Sequence, residues 1–395
     1  MQGRRVLFAL SNLFSDEQVI GGAELGMLVV MKALKMTGVQ PFVVMHGSGH
    51  FGELLRREGI EFEIVPLSEK IAKLSRNRSI LWQTAPICLE IIRLATSVAR
   101  IARRWNINLL HASHLYGYMA CGLAAKTIRI PCIWHLHEGW EKGTITRVLE
   151  FTGRALANHV ITIAPYEAST VALTRRVPHT LIENAFDFKE LTLSRNRPRH
   201  EVRAEFGVGS SEILIGYVSH LAPYKGQRTF VRALSHLVNG GRVFKAIIVG
   251  GPRKSFEWFQ RELQVEVDEL GLSEQVRFCG TRLDVANVMN AIDIFACVSS
   301  TEEFNRVLIE AMCFGKPVIA PNLRGGSIVA EDGLSGLLVP PDDDKSLAAA
   351  LTLLLDDSES RTRLGANGQR YAFERFSVDR LVSKYERVYD VLLTR

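Results

Sequence analysis

The sequence predicts an α/β fold made of two doubly wound parallel-sheet domains, and three observations predict it. Short β-rich runs alternate with helical spacers through residues 1–185, and the same alternation resumes over residues 213–341. Between them, the polar stretch 186–202 interrupts the pattern and is interpreted as the linker region. The length of 395 residues also exceeds what one ordinary core holds. Strands that alternate with helices indicate βαβ units, which form parallel sheets with helices on both faces.

Each half of the chain supplies its own set of strands. The first half has the β-rich runs 4–10, 40–47, 61–67, 107–113, 131–138, 159–165 and 180–185. The second half has the runs 213–220, 244–251, 275–280, 292–299, 316–321 and 335–341. After the last run the chain is helical, and its final helix, near Ser377 to Thr394, is expected to cross back onto the first domain. The predicted domains are therefore 1–190 and 191–374, followed by the helix 375–395.

The predicted sheets also indicate where function lies. In open parallel sheets a ligand binds beyond the carboxyl ends of the strands, at the point where the strand order reverses. Two such sheets facing each other would form a cleft. Candidate functional residues are therefore expected in the loops that lead from strands into helices.

Composition excludes several classes of protein. Hydrophobic residues make up 47% and charged residues 23% of the chain, which is typical of a globular protein and argues against long disorder. No stretch of about 18 uncharged apolar residues is present, and the opening apolar run is too short for a signal peptide. A cytoplasmic location is therefore expected. The six cysteines form no CxxC pair, which favours free thiols over disulfides or zinc ligands.

The formal net charge of +6 is unevenly placed, because the whole excess lies within residues 1–190. It concentrates between Lys70 and Arg104, where Glu90 is the single acid. The basic residues of this segment are Lys70, Lys73, Arg76, Arg78, Arg93, Arg100, Arg103 and Arg104. Apolar residues are interleaved with them, so the segment predicts one of two things. It is either an amphipathic element on an anionic membrane surface, or a solvated helix face packed on the sheet. No nucleic acid partner is expected.

The loop after the first predicted strand ends in Gly21 and Gly22, immediately before a helical run. Because these residues have no side chains, backbone amides at the helix start can approach a phosphate or a sugar. A glycine pair before a helix is equally typical of a purely structural turn. The pair is therefore a weak signal when taken alone.

A second loop, "SHLAPYKGQ", carries Lys225 between a strand and a helix. A lysine at this position can meet an anion near the helix start, and a diphosphate fits that geometry. The loop is not a Walker A loop, and no GxGxxG dinucleotide fingerprint appears in the chain. A surface turn lysine remains the alternative interpretation.

The stretch "TEEFNRVLIEAMCFGKPVIA", residues 301–320, contains the third signal. Asn305 is a good helix N-cap, and the amides of Arg306, Val307 and Leu308 after it are left unpaired and suited to phosphate oxygens. Glu310 falls in the second turn of a helix that is otherwise apolar. A buried carboxylate is costly unless it is hydrogen bonded, so Glu310 is expected to have a committed partner. That partner is either a pair of ligand hydroxyls or a protein group in a structural role.

Together these motifs resemble the signature of the retaining glycosyltransferases of family four, which have the GT-B fold. The central element is Glu302-x7-Glu310, preceded by "SSTEEF" and followed by "EAMCFGKPVIA". The resemblance covers essentially the whole chain. The other matching motifs, in chain order, are "GGAE" near the start, "HLHE" at 135–138, "ENAFD" at 183–187, "LAPYKGQ" at 221–227, "RFCGTRLDV" at 277–285 and "EDGLSGLLVPPDD" at 331–343.

The resemblance implies roles for the residues that match the family's donor site. Glu310 receives the ribose hydroxyls of a nucleotide sugar, and Glu302 binds hydroxyls of the transferred sugar. Lys225 is implied to hold the diphosphate as negative charge develops on it. The resemblance also implies contacts from the backbone. The amides of Phe304 and Asn305 would bind the sugar, and those near Arg306 and Val307 would bind the diphosphate. The loop around Gly280 and Arg282 would line the base.

The resemblance also implies a role for the "HLHE" motif of the first domain. His137 matches the family's histidine at the end of a strand, near the reacting carbon and the acceptor. His135 shares its side of the strand by the period of two, and with Glu138 it is assigned to the acceptor. A strand-end core histidine is the alternative, since His111 and His114 lie close by.

The chain departs from the family pattern at three positions. Where the family usually has an arginine before its lysine, this chain has His220, which is partly charged near neutral pH and makes no bidentate phosphate contact. Asn305 replaces a common glycine, but both residues suit an N-cap. Ser327 stands where the family has a glutamate after its double glycine, which leaves the donor preference open.

The family resemblance implies a hexosyltransferase that uses a nucleotide-diphosphate sugar, such as a UDP- or GDP-sugar, and retains the anomeric configuration. The residues predict that the transfer is metal-independent. No Asp-x-Asp cluster lies in a suitable loop, so Lys225 and helix amides must neutralise the leaving group. The expected acceptor is a lipid-linked or cell-surface saccharide, as in polysaccharide or lipopolysaccharide synthesis for the cell envelope. Two alternatives remain open, which are a catalytically weak nucleotide-sugar-binding partner protein and a GT-B nucleotide-sugar epimerase.

Overall fold

The computed structural model describes residues 3–10, 20–68, 84–137, 140, 143–252, 254–299, 301 and 304–394. The chain divides into two compact units. The first unit combines residues 1–186 with residues 378–395, and the second unit is the continuous stretch 187–377. The chain therefore leaves the first unit once and returns to it with its last helix.

A seven-stranded parallel sheet forms the centre of the first unit within the described residues. Its strand order is β3-β2-β1-β4-β5-β6-β7, so the order reverses at β1 and the switch point lies between β1 and β4. The strands are β1 (Arg4–Leu10), β2 (Val39–Met45), β3 (Glu61–Ile64), β4 (Leu109–Ala112), β5 (Cys132–Leu136), β6 (His159–Thr162) and β7 (His179–Leu181).

Strand β1 explains why this sheet is covered on both faces. Leu7 and Ala9 belong to one apolar core, while Val6, Phe8 and Leu10 belong to the other. Successive side chains of a strand point to opposite faces. A continuously apolar strand therefore needs helices on both sides of its sheet.

Helices supply both of those layers. Those of the first unit are α1 (Gly22–Met36), α2 (Gly49–Arg57), α3 (Thr84–Arg104), α4 (Leu115–Ile128), α5 (Thr144–Leu156), α6 (Pro165–Thr170) and α16 (Val378–Leu393). The last of these, α16, buries Tyr385 and Tyr389 in the same core as Phe8. The backbone amide of Val378 also donates to the carbonyl of Phe186 at 2.9 Å. The expected return of the final helix to the first domain is thus confirmed.

The second unit repeats the doubly wound plan with a six-stranded parallel sheet. Its order is β10-β9-β8-β11-β12-β13, so the switch point lies between β8 and β11. The strands are β8 (Leu214–Val218), β9 (Lys245–Val249), β10 (Val276–Phe278), β11 (Ile294–Ala296), β12 (Val318–Pro321) and β13 (Leu337–Val339). The helices are α7 (Phe188–Leu193), α8 (Arg199–Glu205), α9 (Gln227–Asn239), α10 (Glu257–Glu269), α11 (Val285–Ala291), α12 (Arg306–Cys313), α13 (Gly325–Val329), α14 (Asp344–Asp356) and α15 (Ser358–Phe376).

The polar stretch 186–202 has more structure than a linker, because it contains α7 and the start of α8. Helix α8 is held by Arg203, whose guanidinium contacts the carboxylate of Asp293 at 2.8 Å. The same carboxylate accepts a hydrogen bond from the amide of Leu214 at 2.9 Å. This stretch is therefore part of the second unit through contacts that its own sequence does not reveal.

Each β-rich run of the sequence overlaps a strand of the structure, and the predicted class of two parallel-sheet α/β domains is confirmed. Among the helices of the described residues, none combines the length and the apolar character that crossing a bilayer would require.

Candidate active site

The switch point of the second unit brings two predicted motifs together. Strand β8 lies between β9 and β11, and the loop that follows β8 carries His220 and Lys225. The loop that follows β11 leads into α12, which carries Glu310. Because the carboxyl ends of adjacent parallel strands meet at one edge, both loops lie where a ligand of a doubly wound sheet binds.

The two loops are joined by direct contacts. The hydroxyl of Tyr217 donates to the carbonyl oxygen of Lys225 and accepts a hydrogen bond from the amide of Val298 at 3.1 Å. Ser299 Oγ donates to the carbonyl of Tyr224 at 3.3 Å. Tyr217 is fully buried in strand β8, so a single side chain fixes the Lys225 loop against the loop that leads to α12.

Gly226 allows this close approach. Its φ of +77° lies in the left-handed region, and a Cβ built on it would come within 2.6 Å of the carbonyl oxygen of Val298. A side chain at this position would be strained and would also push the two loops apart. The glycine therefore follows Lys225 for a steric reason.

Gln227, at the first position of α9, fixes the other end of the Lys225 loop. Its buried side-chain amide donates to Ser219 Oγ at 2.7 Å and to the carbonyl of His220 at 2.9 Å. The imidazole Nε2 of His220 lies 3.2 Å from the hydroxyl of Tyr224. Sequence reasoning did not single out Gln227, although a polar residue directly after "KG" at a helix start was a usable signal.

Lys225 is 9% exposed and ends the short 3₁₀ turn Pro223–Lys225. Its Nζ lies 5.6 Å from the centre of the Tyr224 ring, within cation–π range. A lysine held this way loses little conformational entropy when it binds an anion. The surface-turn alternative is wrong, because a surface lysine would be exposed.

Helix α12 begins after Asn305, but the Asn305 side chain does not cap it. The side chain donates instead to Cys297 Sγ at 3.2 Å, and it is 1% exposed. The expected cap interaction is therefore wrong, while the expected helix start is correct. Helix α12 thus begins with the amides of Arg306 and Val307, at the end of a helix that attracts phosphate oxygens.

Phe304 contributes to this region through its backbone, because its ring is buried and packs edge-on against Phe376 at 5.6 Å. Glu302, the first carboxylate of the predicted motif, lies outside the described residues. Its predicted role in binding the transferred sugar therefore stays a prediction.

Glu310 lies half-buried on α12, one turn after Arg306. Burial raises the pKa of the Glu310 carboxyl, and the Arg306 guanidinium opposes this shift. Burial likewise lowers the pKa of Arg306, with Glu310 opposing. Within the described part of the chain, no hydrogen bond of a protein group reaches the Glu310 carboxylate. Its hydrogen-bonding capacity is thus available to a ligand.

The loop that follows β10 carries Gly280 and Arg282. Gly280 has a φ of +63°, and its carbonyl accepts a hydrogen bond from the amide of Gly250 at 2.8 Å. The Arg282 guanidinium makes two hydrogen bonds to Asp284, each 2.8 Å long, and a third to Glu205. Because these carboxylates occupy the guanidinium, contact of this loop with a base is better expected from its backbone.

In the first unit, Gly21 precedes α1 and Gly22 begins it. A Cβ on Gly21 would lie 2.2 Å from Oε2 of Glu24, so the Glu24 carboxylate folds back onto the helix start. A phosphate at this position would meet that negative charge, whereas a sugar hydroxyl would not be repelled. For Gly21 and Gly22, contact with a sugar is therefore favoured over contact with a phosphate.

A group of histidines lies at the carboxyl end of β4 and β5. The ring of His137 lies against that of His135, with 4.2 Å between the ring centres and 31° between the ring planes, as the period of two predicts. His135 Nδ1 is 3.0 Å from His111 Nε2, and His111 Nδ1 is 2.8 Å from the hydroxyl of Tyr389. Glu138, assigned to the acceptor from the sequence, lies outside the described residues.

Two family models match this chain, one for each unit. The model for glycosyltransferase family 4 matches residues 20–190, and the model for glycosyl transferases group 1 matches residues 198–371. Together they cover most of the sequence. The chain belongs to the group 1 glycosyltransferases.

Two named relatives of this glycosyltransferase carry different names. The chain is 26% identical to N-acetyl-alpha-D-glucosaminyl L-malate synthase of Bacillus anthracis over 76% of its own length and 79% of the relative. It is 35% identical to D-inositol 3-phosphate glycosyltransferase of Nocardia farcinica over 46% of its own length and 41% of the relative. The second match thus spans less than half of that relative.

Among solved structures, the glycosyltransferase is similar to Alr3699/HepE of Anabaena in complex with UDP-glucose. The TM-score is 0.81 and the identity 26%, over 98% of this chain and 100% of that one. The same protein in complex with UDP gives a TM-score of 0.82. These likenesses agree with the GT-B architecture of two parallel-sheet domains.

Helix α3 of the glycosyltransferase carries the described part of the predicted basic segment. Leu89 and Ile92 are 68% and 57% exposed on it. Arg93 is engaged by Glu90 at 2.6 Å, and Arg104 pairs with Glu63. The basic residues from Lys70 to Arg78 lie outside the described residues.

Within the described residues, no three histidine, cysteine, aspartate or glutamate side chains are grouped as a metal site requires. The predicted absence of a metal requirement stays a prediction.

Proposed function

We propose that this glycosyltransferase transfers a hexosyl group from a UDP-sugar to an acceptor hydroxyl, with retention of configuration and without a metal ion. The observation that carries the proposal is the joining of the Lys225 loop to the loop before α12 at the switch point of the second unit. This arrangement combines a buried cation, the N-terminus of α12 and a carboxylate with free hydrogen-bonding capacity.

The UDP donor is supported by two features. HepE of Anabaena, the similar solved structure, is described in complex with UDP and with UDP-glucose. In this chain the Glu310 carboxylate accepts hydrogen bonds and is half-buried, which suits the two hydroxyls of a ribose. A vicinal diol donates two parallel hydrogen bonds to one carboxylate, and desolvation strengthens both.

The diphosphate is assigned to Lys225 and the first-turn amides of α12. During transfer, the bond between the sugar and the diphosphate breaks and negative charge grows on the phosphate oxygens. Donors already oriented toward those oxygens stabilise the charge without reorganisation, at about 3 to 4 kcal/mol for each donor. His220, whose Nε2 lies 3.2 Å from the Tyr224 hydroxyl, adds an imidazole at the same loop.

Glu302 is assigned to hydroxyls of the transferred sugar, and His137 with Glu138 is assigned to the acceptor. His135, assigned to the acceptor from the sequence, is 1% exposed, so it is assigned instead to supporting the His137 ring. Imidazole rings suit this task because they exchange hydrogen bonds with hydroxyls near neutral pH. Retention of configuration follows the family resemblance, in which the acceptor attacks the same face that the phosphate leaves.

The acceptor is proposed to be a lipid-linked or cell-surface saccharide met at the inner face of the membrane. Support comes from α3, where the exposed Leu89 and Ile92 lie on the same helix as Arg100 and Arg103. Sedimentation with liposomes of anionic lipid should bring the protein down at low salt and release it at high salt. A Leu89→Glu, Ile92→Glu variant should sediment less, while Leu353→Glu in the second unit should not differ from wild type. Absence of sedimentation at every salt concentration would end the membrane proposal.

The transferase activity is tested by incubating the protein with UDP-, GDP- and ADP-sugars and measuring nucleotide release. Lipid-linked and soluble saccharide acceptors are added or left out. Release is expected with a UDP-sugar, to rise with a matching acceptor, and to persist in the presence of EDTA. Release that is unchanged in a Glu302→Ala, Glu310→Ala double variant would remove the assigned site.

Two alternatives are favoured by particular residues. His220 and the exposed Ser327 stand where the family has charged side chains, which favours a binding protein with weak catalysis. Tight nucleotide binding without release would support it. Acceptor-independent change of the donor sugar itself would support a nucleotide-sugar epimerase instead.

A further inference from the structure

A buried hydrogen-bonded row connects the last helix to the carboxyl end of β5. It consists of Tyr389, His111 and His135, joined at 2.8 Å and 3.0 Å through the two ring nitrogens of His111. Each of these three residues is at most 1% exposed. The row ends beside His137, whose ring lies against that of His135.

Both imidazoles of the row are neutral. Burial lowers the pKa of His111 to about 3 and holds the pKa of His135 well below its ordinary value. A neutral imidazole donates through one ring nitrogen and accepts through the other. The row therefore has two possible arrangements of its protons.

In the outward arrangement, the Tyr389 hydroxyl donates to Nδ1 of His111, and Nε2 of His111 donates to Nδ1 of His135. The proton of His135 then lies on Nε2. In the inward arrangement every donation is reversed, so that His135 donates from Nδ1 and Tyr389 accepts.

The number of buried polar groups without a hydrogen-bond partner decides between the outward and the inward arrangement. Nε2 of His135 is buried and has no partner within the described residues. In the inward arrangement the Tyr389 hydroxyl proton also lacks an acceptor in that part of the chain, because its one hydrogen bond goes to His111. The outward arrangement leaves one buried group unsatisfied and the inward arrangement leaves two. Because each such group is costly, the outward arrangement is favoured.

We propose that Tyr389 is a positioning residue, whose hydroxyl proton fixes the outward arrangement and thereby holds His135 in one tautomer as the support for the His137 ring. The reactive role of His137 in this inference rests on the proposed function. The two tautomers of His135 carry the N–H bond on different ring nitrogens, so they would present two different charge distributions to the neighbouring His137 ring. A single tautomer keeps the His137 imidazole in one orientation.

Tautomers are measured directly by NMR of the full chain labelled with ¹⁵N in histidine, with resonances assigned by single substitutions. Wild type should show His111 and His135 both protonated at Nε2. In Tyr389→Phe the two arrangements leave equal numbers of unsatisfied groups, so both tautomers should be populated. A wild-type His135 protonated at Nδ1, or an unchanged spectrum in Tyr389→Phe, would overturn the inference.

Tyr385→Phe is the matched control. Tyr385 lies one turn earlier on α16, is also buried, and its ring lies 6.0 Å from that of His135. Its hydroxyl makes no hydrogen bond to a histidine of the described residues. The Tyr385→Phe variant should keep the wild-type tautomers.

Kinetics with UDP-glucose as the probe test the effect on His137. In Tyr389→Phe, kcat for UDP release should fall about tenfold, while KM for UDP-glucose stays unchanged because the proposed donor residues lie on the second unit. Tyr385→Phe should change neither constant. Equal kcat in Tyr389→Phe and wild type would overturn the positioning role. Absence of UDP release from wild type would instead overturn the proposed function. The NMR result would still show whether Tyr389 fixes the tautomers of His111 and His135.

Discussion

The carboxyl edges of the two sheets differ in how they handle charge. At the edge of β8 and β11, the second unit holds the buried cation of Lys225 and the carboxylate of Glu310. At the edge of β4 and β5, the first unit holds histidines that burial keeps neutral. The first kind of edge suits a diphosphate that gains charge, and the second suits hydroxyl groups that exchange protons. The comparison teaches that the same doubly wound fold can present either charged or neutral side chains at this edge. Only the loops and the strand ends need to differ.

The largest expected effect tests the charged edge. Lys225→Met should lower kcat for UDP release from UDP-glucose by about 100- to 1,000-fold, because a preorganised donor to the leaving group is lost. Lys245→Met is the control, since Lys245 begins β9 at the opposite end of the sheet and its Nζ donates to the Glu274 carbonyl at 2.8 Å. An equal loss in both variants would show a general effect on folding and would break the contrast.

The neutral edge is tested by His137→Gln. We expect kcat to fall about hundredfold, as for the loss of a proton-exchanging group, while calorimetry gives an unchanged Kd for UDP-glucose. His50→Gln, on α2 of the same unit, should leave both quantities unchanged. Weakened binding of UDP-glucose in His137→Gln would show that the first unit helps to hold the donor, and the division of tasks would be wrong.

A smaller effect, on binding alone, is expected for Glu310→Gln. The Kd for UDP should rise about tenfold to hundredfold, because hydrogen bonds to a charged acceptor are lost. The exposed Glu359→Gln is the matched control.

Since burial raises the pKa of Glu310 in the folded protein, this carboxylate contributes less stability as pH rises through that pKa. Glu310→Gln should therefore be no less stable than wild type at pH 7, and a large drop in Tm would indicate a structural role.

The smallest effect concerns a cation of the second unit that lies outside the proposed site. Burial, with Arg199 adding repulsion, lowers the pKa of Lys316 from 10.5 to about 7. Its Nζ donates to the carbonyl of Asn290 at 3.0 Å. Between these pH values the unfolded chain binds a proton that the folded chain lacks, so this residue makes the free energy of unfolding rise with pH.

Lys316→Met removes that dependence. The variant should be more stable than wild type at pH 7 by about 2 kcal/mol, and the advantage should shrink by pH 9.5. Urea unfolding at both pH values measures it. An advantage of the same size at both pH values would show that folding does not lower the pKa of this lysine.

Much of this architecture was predictable because local patterns carry it. The apolar runs of β1 and β8 read as strands directly, and the positions of Lys225 and Glu310 followed from strand-loop-helix order. Parallel sheets bury their strands on both faces, so their sequences are continuously apolar and easily found.

The parts that sequence reasoning missed depend on contacts between distant residues. Tyr217 and Gln227 join the loops of the site, yet each looks like an ordinary residue of its own strand or helix. Asn305 matches the pattern of a helix cap, but its side chain donates a hydrogen bond to the sulfur of Cys297, which follows strand β11. A local sequence pattern does not show whether this side chain caps the helix or bonds to the cysteine. The same holds for Tyr389, which meets His111 from the other end of the chain.

The placement of α16 has a consequence for the order of assembly during synthesis. Residues 187–377 form a continuous unit whose core is complete as soon as they leave the ribosome. The first unit is begun earlier but lacks Tyr385, Tyr389 and Leu392 of its core until α16 emerges. Because domains made first generally fold first, this chain reverses the usual order, and its first unit is completed only after residues 187–377 have been made.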